Sequence, residues 1–351
     1  MVLQSFQCFL DEAESKNLVA WAASQTADRP FLFPAAQKLA ARLGAVYDDK
    51  TGRTRFGFWV PDLVEQGIGK VWLTVLRPPP ALDLQADEQT ITWQRHRLPL
   101  LVQDQFAWAV VAGLQAGDRE QVGDFYHVSY ERNGRWHTLL DPLAVSVPFG
   151  GKAPDELVNL AKLNAEQADR AHFARLDTQP DPDGVPRVKS PTNILQLHVN
   201  TASREGTLAG LIRIYKTIAA KLEKNEPLTP AEQNYTGYDA VQLMPVEPTI
   251  EHEAGSDFWE PVDETDETVT TILRQPDMTN WGYDVLTVAS PAPNPCVLGS
   301  KRPFELIDFI ATLHNFPGQP IKVIFDIVYG HTDNQTLPYL NHHFFAGPNM
   351  Y

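Results

Sequence analysis

At 351 residues the chain is long enough for two domains with sizeable cores. Its 43% hydrophobic and 21% charged content is that of a folded globular protein and excludes a disordered one. A formal net charge of −15 argues against nucleic acid and anionic membrane as partners, because both need a basic surface.

Two cysteines, Cys8 and Cys296, provide neither a disulfide framework nor metal-ligand spacing. The opening stretch MVLQSFQCFLDEAESK has no basic segment, and its apolar run breaks at Asp11, unlike a signal peptide. No apolar run approaches the roughly 20 residues of a membrane span. The expectation is a soluble, cytoplasmic, reduced protein with no membrane or nucleic-acid partner; its oligomeric state is left open.

Residues 1–47 read as a helical segment. In Phe31–Tyr47, Ala36, Leu39, Ala40 and Leu43 fall at i, i+3, i+4 and i+7, and Gly44 suits a helix C-cap. Asp48–Gly52 is turn chemistry. Residues 48–150 then change to strand period: Thr54–Val60, Lys70–Leu76, Thr90–Trp93, Phe106–Val111, Asp124–Tyr130 and Trp136–Leu140. Short, regularly spaced strands of this kind predict an antiparallel β-sandwich. Trp59, Trp72 and Trp136 could line a sugar-binding face, but their strand-periodic setting favours core packing.

Residues 151–193 form a helix-and-linker segment: Ala153–Leu176 reads as helical, and Asp177–Thr192, rich in Pro, Asp and Gly, marks the domain boundary. Residues 194–351 then alternate strand and helix. Ile194–Val199 is a strand, Leu208–Lys224 an amphipathic helix, Tyr238–Met244 a strand ended by Pro245, and Phe304–Phe316 a helix. Buried strands joined by crossovers predict a parallel sheet.

The segment from about Thr249 to Arg302 is too long for a plain connector. Its first half, Glu251–Glu267, is densely acidic and reads as a solvated flap. Its second half, Asn280–Ser300, is aromatic, apolar and Pro-rich, as expected of an ordered loop over a site.

Ile321–Gln335 begins as a continuous apolar run, as in a parallel strand covered on both faces, and turns polar at Tyr329–Asn334. Polar groups at the C-terminal mouth of a parallel strand are where α/β enzymes keep their chemistry. A carboxylate in such a strand, Asp326, needs a partner. Taken alone, Tyr283 reads as a packed aromatic and His331 equally as a loop histidine or a ligand contact.

Taken in order, four stretches resemble the α-amylase superfamily, family thirteen of the glycoside hydrolases. Gly237–Val246 (GYDAVQLMPV) resembles the second barrel strand, and Trp281-Gly282-Tyr283 with the Pro-rich run to Ser300 the loop after it. Asp326–His331 (DIVYGH) resembles the third-strand motif, and His198 with Gly206-Thr207-Leu208 the opening of the first unit. More weakly, the whole chain is similar to the glucosylglycerol hydrolases of that superfamily, which cleave 2-O-α-glucosylglycerol to glucose and glycerol. The resemblance implies a retaining α-glycoside hydrolase with a small α-glucoside as substrate and no cofactor; branching enzymes, other α-glucan-active members and a non-catalytic carbohydrate-binding remnant are the alternatives. It implies that Tyr283 stacks on the glucosyl ring, His331 and Asp284 contact sugar hydroxyls, and Asp326 supports the site by holding an arginine of a following strand. Gly330 replaces the usual Asn of the motif, which puts calcium in doubt; no metal ligand is assigned.

The implied fold is α/β: a (β/α)8 TIM barrel, incomplete in this chain, with its first three strands preceded by the helical segment and the β-sandwich. A full barrel takes about 250 residues, more than Ile194–Tyr351 contains. A retaining glycosidase needs two carboxylates about 5–5.5 Å apart. No carboxylate here matches the superfamily's nucleophile or acid/base motifs, so no catalytic residue is assigned. The expectation is the N-terminal part of a longer enzyme, inactive alone and poorly stable or prone to aggregation.

Overall fold

The protein was analysed as a computed structural model, which describes residues 6–26, 33–68, 70–177, 189–251 and 258–333. It opens with β1 (Phe9–Leu10), α1 (Glu12–Thr26), α2 (Phe33–Ala40), β2 (Gly44–Asp48), β3 (Arg53–Trp59) and α3 (Pro61–Glu65). The helix expected to run to Tyr47 therefore stops at Ala40. Gly44, at φ +81°, opens a strand instead of closing a helix. Pairing of β2 with β3 places Ala45 and Tyr47 against a buried core, and that tertiary contact overrides local helix propensity. The turn between them is as expected: Asp48 accepts hydrogen bonds from the Lys50 backbone and the Thr51 hydroxyl.

There follow β4 (Val71–Arg77), β5 (Glu88–Gln103), β6 (Phe106–Ala112), β7 (Phe125–Arg132), β8 (Arg135–Leu139) and β9 (Asp155–Glu156). They belong to one antiparallel sheet ordered β2-β3-β6-β5-β4-β7-β8. The two halves are not separate sheets of a sandwich. The 16-residue strand β5 pairs with β4 through Gln94–Leu100 and with β6 through Leu101–Gln103, so a single sheet curls through it. Phe56, Phe58, Leu73, Val75, Ala109, Val111, Tyr126 and Val128 fill the space enclosed by the curl. Behind β6, Leu18, Ala22 and Leu39 of the two helices bury Trp108.

Two further expectations fail in this half. Ala153–Leu176 is not one helix: it contains β9, then α4 (Leu160–Ala165) and α5 (Arg170–Asp177). Trp59 and Trp136 are not core residues, being 41% and 46% exposed on the sheet. The predicted linker falls largely on residues 178–188, outside the described residues.

The second half contains β10 (Ile194–Leu197), α6 (Val199–Ala202), α7 (Leu208–Glu223), α8 (Pro230–Gln233), β11 (Ala240–Leu243), β12 (Trp259–Glu264), β13 (Thr268–Arg274), α9 (Phe304–His314) and β14 (Lys322–Phe325). Strands β10, β11 and β14 form the expected parallel sheet, in register Gln196–Gln242–Ile324. Leu208, Leu211 and Tyr215 of α7 and Phe309 and Leu313 of α9 pack on Leu197, Val241, Leu243, Val323 and Phe325, all on one face. The opposite face, carrying Ile194, Gln196, Gln242 and Ile324, has no helix on it among the described residues. Strand β14 is accordingly half-buried throughout, where coverage on both faces was expected.

The acidic stretch after Glu251 is also more ordered than a flap. Strands β12 and β13 make a hairpin that leaves the α/β half and adds to β5, Val269 opposite Trp93. Its carboxylates Asp263, Glu264, Asp266 and Glu267 remain in solvent, as expected, on an edge strand and turn. Residues 252–257 of that stretch lie outside the described residues.

The two halves are joined by a buried ion pair. Arg302, just before α9, places Nη2 2.6 Å from Oε1 of the fully buried Glu156 in β9. Its Nη1 donates to the Asp118 carbonyl at 2.5 Å, and Nη2 donates also to the Gln121 carbonyl at 2.9 Å. Glu156 also accepts from Gly123 N and Ser146 Oγ. At the surface, Arg119 pairs with Asp308. Breaking a buried pair on one side costs about 3–5 kcal/mol, whereas an exposed pair contributes about 0–1 kcal/mol. Arg302→Ala is therefore expected to lower the urea-unfolding free energy by about 3–5 kcal/mol, and Arg119→Ala by no more than about 1 kcal/mol. Equal effects of the two would contradict the assignment of the lock to Arg302.

Candidate functional site

The polar residues at the C-terminal ends of the three parallel strands converge on Asp326. Gln196 and Gln242 interrupt otherwise apolar strands, and Asp326 lies two residues beyond Ile324, so period-2 geometry puts all three on the helix-free face. Asp326 N is held by the Leu243 carbonyl at 3.1 Å, which fixes the residue past the end of β14. Its Oδ1 accepts from Gln242 Nε2 at 2.5 Å, and its Oδ2 from Gln196 Nε2 at 3.3 Å and the Tyr283 hydroxyl at 3.1 Å. The partner demanded by this carboxyl is thus a set of neutral donors. No arginine of the described residues pairs with it.

Tyr283 is delivered by the loop after β13. Gly282 takes φ +97°, and a Cβ there would meet the Pro245 carbonyl oxygen at 2.4 Å, so only glycine lets the loop lie this close to the end of β11. The Tyr283 phenol is raised above its usual range, first by burial and then by the bond to Asp326. Its ring meets Trp281 edge-on, centroids 5.0 Å apart, and Trp281 is itself 60% exposed. Asp284 accepts from the Trp281 indole at 3.2 Å, so it steadies the aromatic rim.

His331 closes the same cluster from the far side. Its Nε2 lies 2.9 Å from the Tyr283 carbonyl oxygen, and since a carbonyl only accepts, Nε2 carries the proton. His198, at the end of β10, donates from Nε2 to the Asn280 carbonyl at 2.8 Å and ties the loop to the first strand. Tyr283, Asp284, Asp326 and His331, chosen from the sequence, are therefore brought together. The structure adds Gln196, Gln242 and Trp281. A polar residue breaking an apolar strand was the signal for the two glutamines.

Glu247 was also missed. It is buried behind the site and accepts from Val328 N at 3.3 Å, linking the chain after β11 to the chain after β14. Burial pushes its carboxyl up to about 6. Among the described residues no cluster of three or more His, Cys, Asp or Glu could hold a metal ion. Nor is any described helix long and apolar enough to cross a membrane.

The family model described as "Hypothetical glycoside hydrolase 5" matches residues 17–351. The chain belongs to this glycoside hydrolase family. No curated protein matches its sequence. Among solved structures it is similar to apo pullulanase from Paenibacillus barengoltzii, 20% identical with a TM-score of 0.48, over 83% of this chain and 38% of that one. It is similar also to a maltotetraose-bound pullulanase from Anoxybacillus sp. LM18-11, again 20% identical with a TM-score of 0.48, over 83% of this chain and 35% of that one. The family member thus spans little more than a third of the length of these pullulanases.

A raised carboxyl gives a pH signature. The folded pKa of Glu247 lies above the ordinary 4.5, so the stability it allows is complete below about 4.5 and falls as pH rises through about 6. Glu247→Gln keeps an acceptor for Val328 N and has no charge to lose. Its stability relative to the parent is expected to rise by up to about 2 kcal/mol between pH 4.5 and pH 7, read by urea unfolding. A difference constant across that range would sink the assignment.

Proposed function

We propose that the protein is a retaining α-glucoside hydrolase acting on a small substrate, 2-O-α-glucosylglycerol, and that the three parallel strands begin a (β/α)8 barrel. Membership of the glycoside hydrolase family carries the reading. The cluster at the strand ends supports it: an aromatic, a histidine and a carboxyl meet at the mouth of a parallel sheet, where barrel enzymes bind substrate.

In this reading the exposed Trp281 and the Tyr283 ring offer apolar faces to the C–H groups of a glucosyl ring. His331 and Asp284 are placed to meet its hydroxyls. Asp326, Gln196 and Gln242 hold Tyr283 at the correct height, so Asp326 supports the site rather than attacking the sugar. None of residues 1–351 is assigned as nucleophile or acid/base, and the domain limits 48–150 and 194–351 stand as the working division. A hydrolase of an internal compatible solute would act in the cytoplasm. No cofactor is required.

Three measurements test this. Full-length protein is expected to release glucose from glucosylglycerol and to leave starch and pullulan intact; preference for either polymer would instead indicate an α-glucan-active enzyme. Residues 1–351 alone are expected to show no turnover of glucosylglycerol, and any turnover that survives repurification would refute the absence of a catalytic pair. In the full-length enzyme Tyr283→Phe, which keeps the ring but drops the bond to Asp326, is expected to reduce kcat/KM about tenfold, an effect of about 1.4 kcal/mol. Tyr283→Ala should cost considerably more, because the ring itself is removed.

A further inference from the structure

Away from the parallel sheet, the outer face of the curled sheet carries a concavity of about 240 Å³. Its position follows from strand period: Leu73, Val75, Tyr126 and Val128 face the enclosed core, so Thr74, His127 and Ser129 face out. Arg95 and Arg97 of β5 face the same way, Arg97 directly opposite Thr74. Lys152, Trp136 of β8 and Trp259 of the returning hairpin complete the walls.

In a chain of net charge −15, the basic character of this pocket needs a reason. Arg95 is held by Glu264 at 2.6 Å, and Lys152 lies 3.7 Å from Glu251. Arg97 is different. Among the described residues it has no carboxylate within ion-pair distance and no hydrogen-bond acceptor; its guanidinium lies 4.1 Å from the centre of the Trp136 ring. Stacking on an aromatic leaves the edge of a guanidinium free to donate, the geometry that suits a carboxylate or a phosphate. The buried Nε atoms of Arg95 and Arg97 and the Nδ1 of His127 also have no hydrogen-bond partner in this structure. Arg95, only 7% exposed, lines the pocket, so its unpaired Nε is a buried polar group in the pocket wall. Burial, with Arg97 and Arg95 beside it, pushes His127 down to about 3, leaving a neutral imidazole at physiological pH. The hydroxyls of Thr74 and Ser129 satisfy each other at 2.7 Å beneath it.

We propose that this pocket binds a monosaccharide bearing one anionic group, a phosphate or a carboxylate. The anion would take the free edge of Arg97, and the sugar ring would lie against Trp136 and Trp259. The volume suits one hexose and is small for an oligosaccharide. Trp136, exposed on an edge strand, then has a use that core packing does not give it. The inference is independent of the hydrolase reading, since it concerns the other half of the molecule and is tested by binding alone.

Isothermal titration calorimetry of the 351-residue chain, with glucose 6-phosphate, glucuronate, glucose and inorganic phosphate, decides it. Saturable binding of either charged sugar, at least tenfold tighter than both glucose and inorganic phosphate, is the expected result, and the tighter of the two identifies the anion. Arg97→Gln and Trp136→Ala should each weaken that binding tenfold or more while keeping the circular dichroism spectrum of the parent. Arg97→Lys, which retains charge without the fork, should lose less and serves if Arg97→Gln does not fold. The proposal is overturned by no saturable binding of either charged sugar, or by glucose binding as tightly as they do. It is equally overturned if inorganic phosphate alone matches them, an adventitious ion only, or if the Arg97 variants bind like the parent.

Discussion

The pair formed by Arg302 and Glu156 is the constraint on which the arrangement of the two halves depends. A fully buried carboxylate is tolerable only when its oxygens are occupied, and here a guanidinium, a backbone N–H and a hydroxyl occupy them. The same guanidinium satisfies two carbonyls of the loop between β6 and β7. One side chain therefore sets where α9 begins relative to the curled sheet. Since α9 leads directly into β14, it also sets where that strand delivers Asp326. A second buried contact, His314 Nδ1 to Asp169 at 2.6 Å, anchors the other end of α9.

Given that anchor, the candidate site is a consequence of one-sided packing. Helices α7 and α9 take the apolar residues of the three strands on one face, and the alternating residues are left on the other. Polar side chains are stable there only if they satisfy one another, which Gln196, Gln242, Asp326 and Tyr283 do. Neutral donors around one carboxyl hold it in place without a second charge. The loop carrying Tyr283 approaches through Gly282, whose backbone geometry is as much a part of the site as any side chain.

The excursion between β11 and α9 links the candidate site and the proposed pocket. It first sends β12 and β13 back to β5, building one wall of the basic pocket with Trp259, and only then returns to present Trp281 and Tyr283 at the strand ends. The strand-end cluster and the pocket thus share one segment. The segment is held at both ends, by hydrogen bonds of β13 with β5 and of Ile250 and Leu286 with Asp284 and Pro248.

Periodicity and punctuation in the sequence were sufficient for β3, β4, β6, β7 and β8 and part of β5 in the curled sheet, for α7 and α9 and for the parallel sheet, because these depend on local alternation of apolar residues. The ordered motifs were sufficient to single out Tyr283, Asp284, Asp326 and His331, since each follows a strand or glycine that positions it. What the sequence could not show was decided by long-range pairing. Gly44–Tyr47 is a strand because β3 is available to it, and the acidic stretch is a hairpin because the edge of β5 accepts β13. Glu156 and Arg302 are separated by most of the second half's early elements, and nothing in either local sequence announces the other. Trp136 is exposed, and Arg97 stacks on it, because β8 lies at the sheet edge with no layer above it among the described residues. Local pattern determined the elements and the chemistry they carry; which faces were covered, and hence which polar groups remained available, was settled only when distant segments packed.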